Sequence, residues 1–380
     1  MYDLSFMLLP VAAASGWYFA SRQFKRKQSS SKVEHSGYFK GLNYLLNEQP
    51  DKAIDVFVDL LEVDDETIEI HLALGTLFRQ RGEVEKSIRL HQNLIARPQL
   101  TPLLRADVLH ELGLDYMRAG LLDRAESIFL ELEKNSEHKL SSCQQLLSIF
   151  QQEREWLTAI GYVVKLEILE NNRQPQVLSQ LHCEVAEESL AKKDLSMAVG
   201  HLKKALKIDP DCVRASVMRA QIFKQSGDFK RALKTLLTIR GQDTRFVPVF
   251  LDLILDCFNS LGQSKQKFAF LADLQTDNDS IFVTRRFIDV LIEQEGKQRA
   301  LDYLQEKLLQ KPNQNLLKLY ALIKADNKTD ETSQFFCHVI NKLEDESLSF
   351  QCKQCGFNSV DLNWCCPSCK QWVVNEPVLV

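Results

Sequence analysis

From Tyr38 to about Leu343, apolar side chains recur three and four positions apart with polar ones between them, the spacing of amphipathic helices. A longer period lies over this short one. Gly41, Tyr44, Ala53 and Phe57 recur as Gly75, Phe78, Ser87 and His91, an offset of 34 at all four positions, and again as Gly113, Tyr116, Ala125 and Phe129. The register continues through Leu147, Phe150, Ala159 and Val163, and then through Ala186, Ser189, Ala198, Leu202 and Ala205, with Pro210 closing the unit. It ends with Ala220, Phe223, Ala232 and Leu236. Small, aromatic, small and large residues at these intervals let one helix of a hairpin pack closely on its mate.

That is the tetratricopeptide period, and it predicts an all-α solenoid of helical hairpins over residues 38–344. Successive units are spaced 34, 38, 34, 39 and 34 residues apart. The excess falls in two proline-bearing stretches, 97–104 and 171–177, which lengthen loops and leave helices intact. Gly82, Gly120 and Gly227 each lie seven residues beyond the small residue of a first helix, where the chain must turn. Residues 255–271 and 288–304 keep a hairpin pattern without the small residues. Polar stretches at 238–244 and 324–333 read as breaks in the array.

The N-terminus departs from this pattern. Residues 4–20 carry no charge, and the basic cluster Arg22, Lys25, Arg26 and Lys27 follows at once. As a helix they reach about 25 Å, enough to span a bilayer with Trp17 and Tyr18 at one interface. A cleaved signal peptide would carry its positive charge before the apolar run, whereas here Asp3 precedes it. Residues 1–21 therefore read as a signal anchor. Its N-terminus lies outside, and the chain after Arg22 is cytoplasmic by the positive-inside rule. Residues 22–37 form a basic, polar linker.

Composition narrows the function classes. A net charge of -4, with 45% hydrophobic and 26% charged residues, describes a globular chain with no global affinity for nucleic acid. There is no glycine-rich phosphate loop, no nucleophile elbow and no zinc-protease helix, so no enzyme activity is expected. Cys143, Cys183, Cys212, Cys257 and Cys337 stand singly in helical segments, as buried thiols in a reducing compartment do.

The strongest chemical pattern is at the C-terminus, in residues 345–380. Cys352 and Cys355 form one Cys-x-x-Cys pair, followed by Gly356, and Cys366 and Cys369 form a second around Pro367. Two such pairs joined by a short loop predict one tetrahedral four-thiolate metal ion, iron or zinc. Cys365 abuts the second pair, but the two-residue gap favours Cys366 as the ligand. Phe350, Phe357, Trp364 and Trp372 surround the site and are expected to face the last helices, making the module a cap on the solenoid. By repeat register, Arg79, Arg118, Arg214 and Lys224 face a concave groove that would suit an acidic partner.

The order of parts resembles the lipopolysaccharide assembly protein B family. The matching residues are the Leu8–Ala14 anchor core with Gly16, Trp17 and Tyr18, stretches such as Leu74–Val84 and Asp115–Leu121, and the terminal knuckles. Family members have a rubredoxin-like module, and its ligands map onto Cys352, Cys355, Cys366 and Cys369. Cys365 stands where the family tends to show His. The resemblance implies a non-enzymatic adaptor on the cytoplasmic face of the bacterial inner membrane. It would act with the AAA+ protease FtsH to promote turnover of the UDP-3-O-acyl-N-acetylglucosamine deacetylase of the lipid A pathway. Other lipopolysaccharide assembly proteins and a second copy of the chain are further expected partners. The rival readings are a membrane-tethered rubredoxin-type electron carrier and a generic scaffold for an envelope complex.

Overall fold

A computed structural model of the chain describes residues 68–324 and 349–378, apart from 99, 135, 136, 278, 279 and 374, together with Tyr44 and Lys52. The expected anchor, its basic cluster, the linker, Cys337 and the first-repeat positions Gly41, Ala53 and Phe57 lie outside the described residues. No helix among the described residues is long and apolar enough to cross a membrane.

The rest is a tetratricopeptide-like solenoid of paired helices, numbered here from the first described. They are α1 Ile68–Gln80, α2 Val84–Ile95, α3 Pro102–Arg118, α4 Leu122–Leu132, α5 Lys139–Gln152, α6 Trp156–Glu170, α7 Pro175–Ala191 and α8 Leu195–Ile208. There follow α9 Val213–Gln225, α10 Phe229–Leu237, the short α11 Ile239–Gln242 and a 3-10 turn at Thr244–Phe246. The series closes with α12 Leu251–Ser260, α13 Ser264–Asp277, α14 Ile281–Glu295, α15 Lys297–Gln310 and α16 Gln314–Lys324. Two compact units, Met1–Ile149 and Phe150–Val380, divide the chain inside α5.

One turn recurs between the helices of each hairpin. The N–H of Glu83, Leu121, Glu155, Asp194, Asp228 and Gln263 donates to the carbonyl five residues back, on Phe78, Tyr116, Phe150, Ser189, Phe223 and Phe258, at 2.8–3.0 Å. This is the Schellman bond, and it needs a left-handed residue just before its donor. Gly82, Gly120, Gly227 and Gly262 supply it, with φ of 83°, 74°, 78° and 65°. Arg154 and Lys193 adopt it too, at φ 61° and 62°, although both carry a Cβ. The same turn therefore continues where the glycine pattern lapses, and it extends the register to the hairpin at Phe258.

The small residues serve the close approach that the period implies. A Cβ on Gly75 would stand 2.2 Å from His91 Nε2, and one on Gly113 would stand 2.7 Å from Phe129 Cζ. Both rings point an edge at a bare backbone. His91 fills the place of Phe129 but is polar, so it brings a network with it. In the first unit, buried Asp115 accepts from His91 Nδ1 at 2.5 Å, Ser87 Oγ at 2.8 Å and Arg79 Nη1 at 2.7 Å.

The second unit holds a different polar pair. His182 of α7 and His201 of α8 are both 7% exposed, with their Nδ1 atoms 3.0 Å apart. Burial, with His201 and Lys204 beside it, lowers the His182 imidazolium from 6.5 to about 4, and burial lowers His201 as well. An unfolded chain takes up these protons below pH 6.5, whereas the folded one resists until about pH 4. The pair's contribution to stability is thus complete above pH 6.5 and is lost as pH falls toward 4. Hydrogen exchange in α7 and α8 across that interval is expected to show a loss of local stability on the order of 2–3 kcal/mol. His182→Gln should flatten the slope, and an unchanged slope would refute the assignment.

Candidate metal centre

The C-terminal module is built on three strands, a departure from the all-α expectation. β1 Ser349–Cys352 pairs antiparallel with β2 Asn358–Ser359 on one side and β3 Asn375–Val378 on the other. The strands hold two equivalent knuckles against each other. Cys352 N–H donates to the Phe357 carbonyl and Gly356 N–H to the Cys352 carbonyl, both at 2.8 Å. Cys366 N–H to Gln371 and Lys370 N–H to Cys366 repeat the pattern at 2.9 Å. Gly356 and Lys370, each directly after the second cysteine of its pair, share the left-handed conformation at φ 75° and 59°.

This geometry gathers four sulfurs. Cys352 Sγ lies 3.7 Å from Cys369 Sγ, Cys355 Sγ lies 3.7 Å from Cys366 Sγ, and all four are within 4.8 Å of one another. A tetrahedron of thiolates about 2.3 Å from a central ion has edges of about 3.8 Å, so the set fits a metal. The Phe357 backbone amide draws the Cys355 thiol down to about 6. Cys369 rises to about 12, because burial and the neighbouring sulfurs outweigh the Gln371 amide that would lower it. Four thiolates need a cation among them to coexist, and the metal would supply it while tying both knuckles together. Zinc and iron both suit this donor set.

Cys365 stands outside the cluster. Its Sγ lies 3.4 Å from the Lys370 carbonyl, its backbone bridges to Trp372, and burial pushes its thiol up. Cys366 and Cys352 are buried, whereas Cys355 is exposed, so one edge of the cage faces solvent.

Among the described residues, the contacts of the module lie in the middle of the array and not on the last helices, contrary to the expectation drawn from its place in the chain. Trp364 stacks on Phe246 of the 3-10 turn, 5.5 Å between ring centroids, and Trp372 meets Trp156 of α6 edge-on at 6.5 Å. Arg245 pairs with Asp243 at 2.7 Å and also with Glu376 of β3, which Lys353 joins from the module. Cys365 is within electrostatic reach of Glu184 and Arg214. The docking face is therefore the middle of the array, between α6 and the 3-10 turn. The polar stretch 238–244, which reads as a break in the sequence, holds part of it. No periodicity marks these residues, because docking requires surfaces that meet only after folding.

That cover explains two helices. In α7, Leu178–Cys183 are buried without interruption, and in α9 so are Val213–Met218. An array helix normally leaves one face wet, and burial all round means a second layer lies over it.

The cations assigned to a partner groove occupy other places. Arg214 is 5% exposed and binds Glu184 at 2.8 Å and Glu187 at 2.6 Å on α7. Arg79 binds Glu111 at 2.6 Å and Asp115 at 2.7 Å, and Lys224 binds Asp256 at 2.9 Å. Each joins its helix to the corresponding helix one repeat away, so the reading of Arg79 and Arg214 as open groove cations is corrected. Arg118 alone of the four is exposed with no partner among the described residues. The same bridging recurs where Arg286 meets Asp252 at 2.7 Å.

Comparison with known proteins follows the same lines. The tetratricopeptide repeat family matches residues 70–103 and 189–252. Over 383 aligned residues the chain is 34% identical to lipopolysaccharide assembly protein B of Escherichia coli strain K12, covering 100% of this chain and 98% of that protein. The protein of that name in Haemophilus influenzae is 32% identical, with the same coverage of both chains. Among solved structures, a tetratricopeptide repeat protein from Parabacteroides merdae aligns with 68% of this chain and 99% of its own, at 15% identity and a TM-score of 0.33.

Proposed function

The chain belongs to the lipopolysaccharide assembly protein B family, and on that premise we propose that it works in lipopolysaccharide assembly as a non-enzymatic adaptor. In this reading residues 1–21 anchor it in the inner membrane, with the array and metal module on the cytoplasmic side. It presents the lipid A pathway deacetylase to the membrane-anchored protease FtsH. The observation that carries the reading is full-length similarity to proteins named for lipopolysaccharide assembly.

Physical arguments support it. Confinement to the plane of the protease raises the effective concentration of each encounter without any new contact. A module packed on α6, α7, α9 and the 3-10 turn offers a composite surface of strand, knuckle and helix for a folded client.

The test is made in cells. With Cys366→Ser and Cys369→Ser together, the deacetylase half-life is expected to lengthen several-fold, and removal of residues 1–21 is expected to do the same. An unchanged half-life, with the cysteine variant present at normal levels in the membrane, would count against a required metal module. The exposed Cys355 edge is the feature an electron carrier would use. A colourless protein that shows no spectral change with reductant would dispose of that second reading.

A further inference from the structure

The second helices of three consecutive hairpins, α6, α8 and α10, each bury one stripe, on Ala159 and Val163, on Ala198 and Leu202, and on Ala232 and Leu236. Their opposite faces are open. The module covers α7 and α9, the first helices of two of these hairpins, so the open face is not its seat. Neither the metal cage nor the adaptor reading uses it.

On α6 that face is apolar. Leu157, Val164 and Ile168 are 61%, 42% and 76% exposed. With Gly161 they fall at i, i+4, i+7 and i+11, one helix stripe about 16 Å long. The two carboxylates of α6 are turned elsewhere, Glu167 accepting from the Gln174 amide at 2.6 Å and Glu170 from its side chain at 3.4 Å. Single exposed apolar residues are ordinary, whereas a contiguous stripe marks a surface that meets another apolar phase.

Lysines continue the face. The repeat spacings of 39 and 34 residues bring Val164 into line with Lys203, Ile168 with Lys207, Leu157 with Lys230 and Gly161 with Lys234. Between them α8 and α10 carry six Lys and Arg residues and no Asp or Glu, in a chain whose net charge is -4. Lys203, Lys204, Lys207, Lys230 and Lys234 are exposed and form no ion pair among the described residues, whereas Arg231 is held by Asp228. The acids at the helix ends are committed locally. Asp194, Asp209 and Asp228 accept from the N–H groups of Met197, Asp211 and Arg231.

Composition decides what such a face fits. The centre of a protein interface gathers aromatic residues and Arg and is poor in Lys. A single-stranded nucleic acid would need aromatic platforms for its bases. Here the centre is Leu, Val and Ile and the border is Lys. Lysine is a point charge on a flexible stem, suited to a diffuse layer of phosphates rather than to one bidentate partner. An apolar stripe with lysines beside it is the composition of a helix face that lies in the interface of an anionic bilayer.

We propose that the open face of α6, α8 and α10 is a peripheral contact for an anionic lipid bilayer, with Leu157, Val164 and Ile168 entering the acyl boundary and Lys203, Lys207, Lys230 and Lys234 meeting the headgroup phosphates. The contact is separate from the proposed anchor at residues 1–21, which would tether the chain whichever face the array turned to the membrane. It would fix that face, and leave the module on the other helices of the same hairpins.

The full-length, metal-loaded protein is reconstituted with vesicles of phosphatidylcholine, or of phosphatidylcholine mixed equally with phosphatidylglycerol, and its lysines are acylated and mapped by mass spectrometry. Lys203, Lys207, Lys230 and Lys234 are expected to lose reactivity several-fold on the anionic vesicles and to regain it at high salt, while Lys353 on the module is unchanged. Each lysine at such a surface changes affinity about fivefold. Lys203→Glu with Lys207→Glu, at exposed positions, is therefore expected to return Lys230 and Lys234 to the reactivity seen on neutral vesicles. Ile168→Asp, at the most exposed of the apolar positions, should act in the same direction. Flotation separates the face from the anchor. Floating with neutral vesicles reports insertion of residues 1–21 and leaves the lysine pattern to decide. Salt-reversible floating with anionic vesicles alone would support the face and refute the anchor, and floating with neither would refute both. Equal lysine reactivity on the two vesicle types, or unchanged protection in the folded variants, would overturn the proposal. Protection that grows with protein concentration in the absence of vesicles would overturn it too and give the face to a second copy of the chain.

Discussion

Chelating the metal, or replacing Cys366 with serine, is expected to unfold residues 349–378 while the repeat helices stay folded. The strands are short, one of them only Asn358–Ser359, and a segment of this size cannot bury enough surface to hold itself together. Structural metals of this type contribute about 10–16 kcal/mol to small folds, far more than two knuckle turns or two aromatic contacts can replace. Hydrogen exchange reads the result directly. The amides of Cys352, Gly356, Cys366 and Lys370, all bonded within the knuckles, should lose their protection together. Protection in α12 to α15 should persist. The inner faces of α7 and α9 should gain access to solvent, because the module is their second cover. If the knuckle amides remain protected after complete metal removal, the sheet and its docking hold the module by themselves and the stapling argument fails.

The second large effect belongs to the first unit, where Asp115→Ala should destabilise the two repeats formed by α1 to α4 by about 3–5 kcal/mol. Asp115 is fully buried and is the common acceptor for Arg79, Ser87 and His91. Its removal leaves the His91 ring facing a void and Arg79 with Glu111 as its one remaining carboxylate. His91 cannot swing away, because its ring is pressed against the Gly75 backbone. Local exchange rates in α1 to α4, rather than one global unfolding curve, are the appropriate measurement for a chain of two units. A loss below about 1 kcal/mol would show that water replaces the carboxylate without strain.

That network also shows where sequence reasoning stops. The offset of 34 placed His91 at the packing position that Phe129 fills one repeat later, and the structure puts both rings against a glycine. Nothing in the offset said that a polar ring there would recruit an aspartate and an arginine from helices on either side. Arg79 and Arg214 were legible as charged positions of first helices, but whether they faced a partner or the next repeat was not. An ion pair spanning one period is a property of two surfaces, and a single strip of sequence displays one.

The sequence by itself determined what depends on near neighbours. The helical period, the left-handed turns at Gly82, Gly120 and Gly227 and the two knuckles that bring Cys352, Cys355, Cys366 and Cys369 together all arise within one or two repeats of chain. Only the tertiary structure decided what those parts meet. It moved the module from the end of the array to its middle, against Trp156, Arg245 and Phe246, and closed a cavity that neither part possesses alone. The reason is physical. Local pattern is selected by bonds between residues a few positions apart, whereas docking is selected by shape and charge complementarity between surfaces that do not exist until each side has folded.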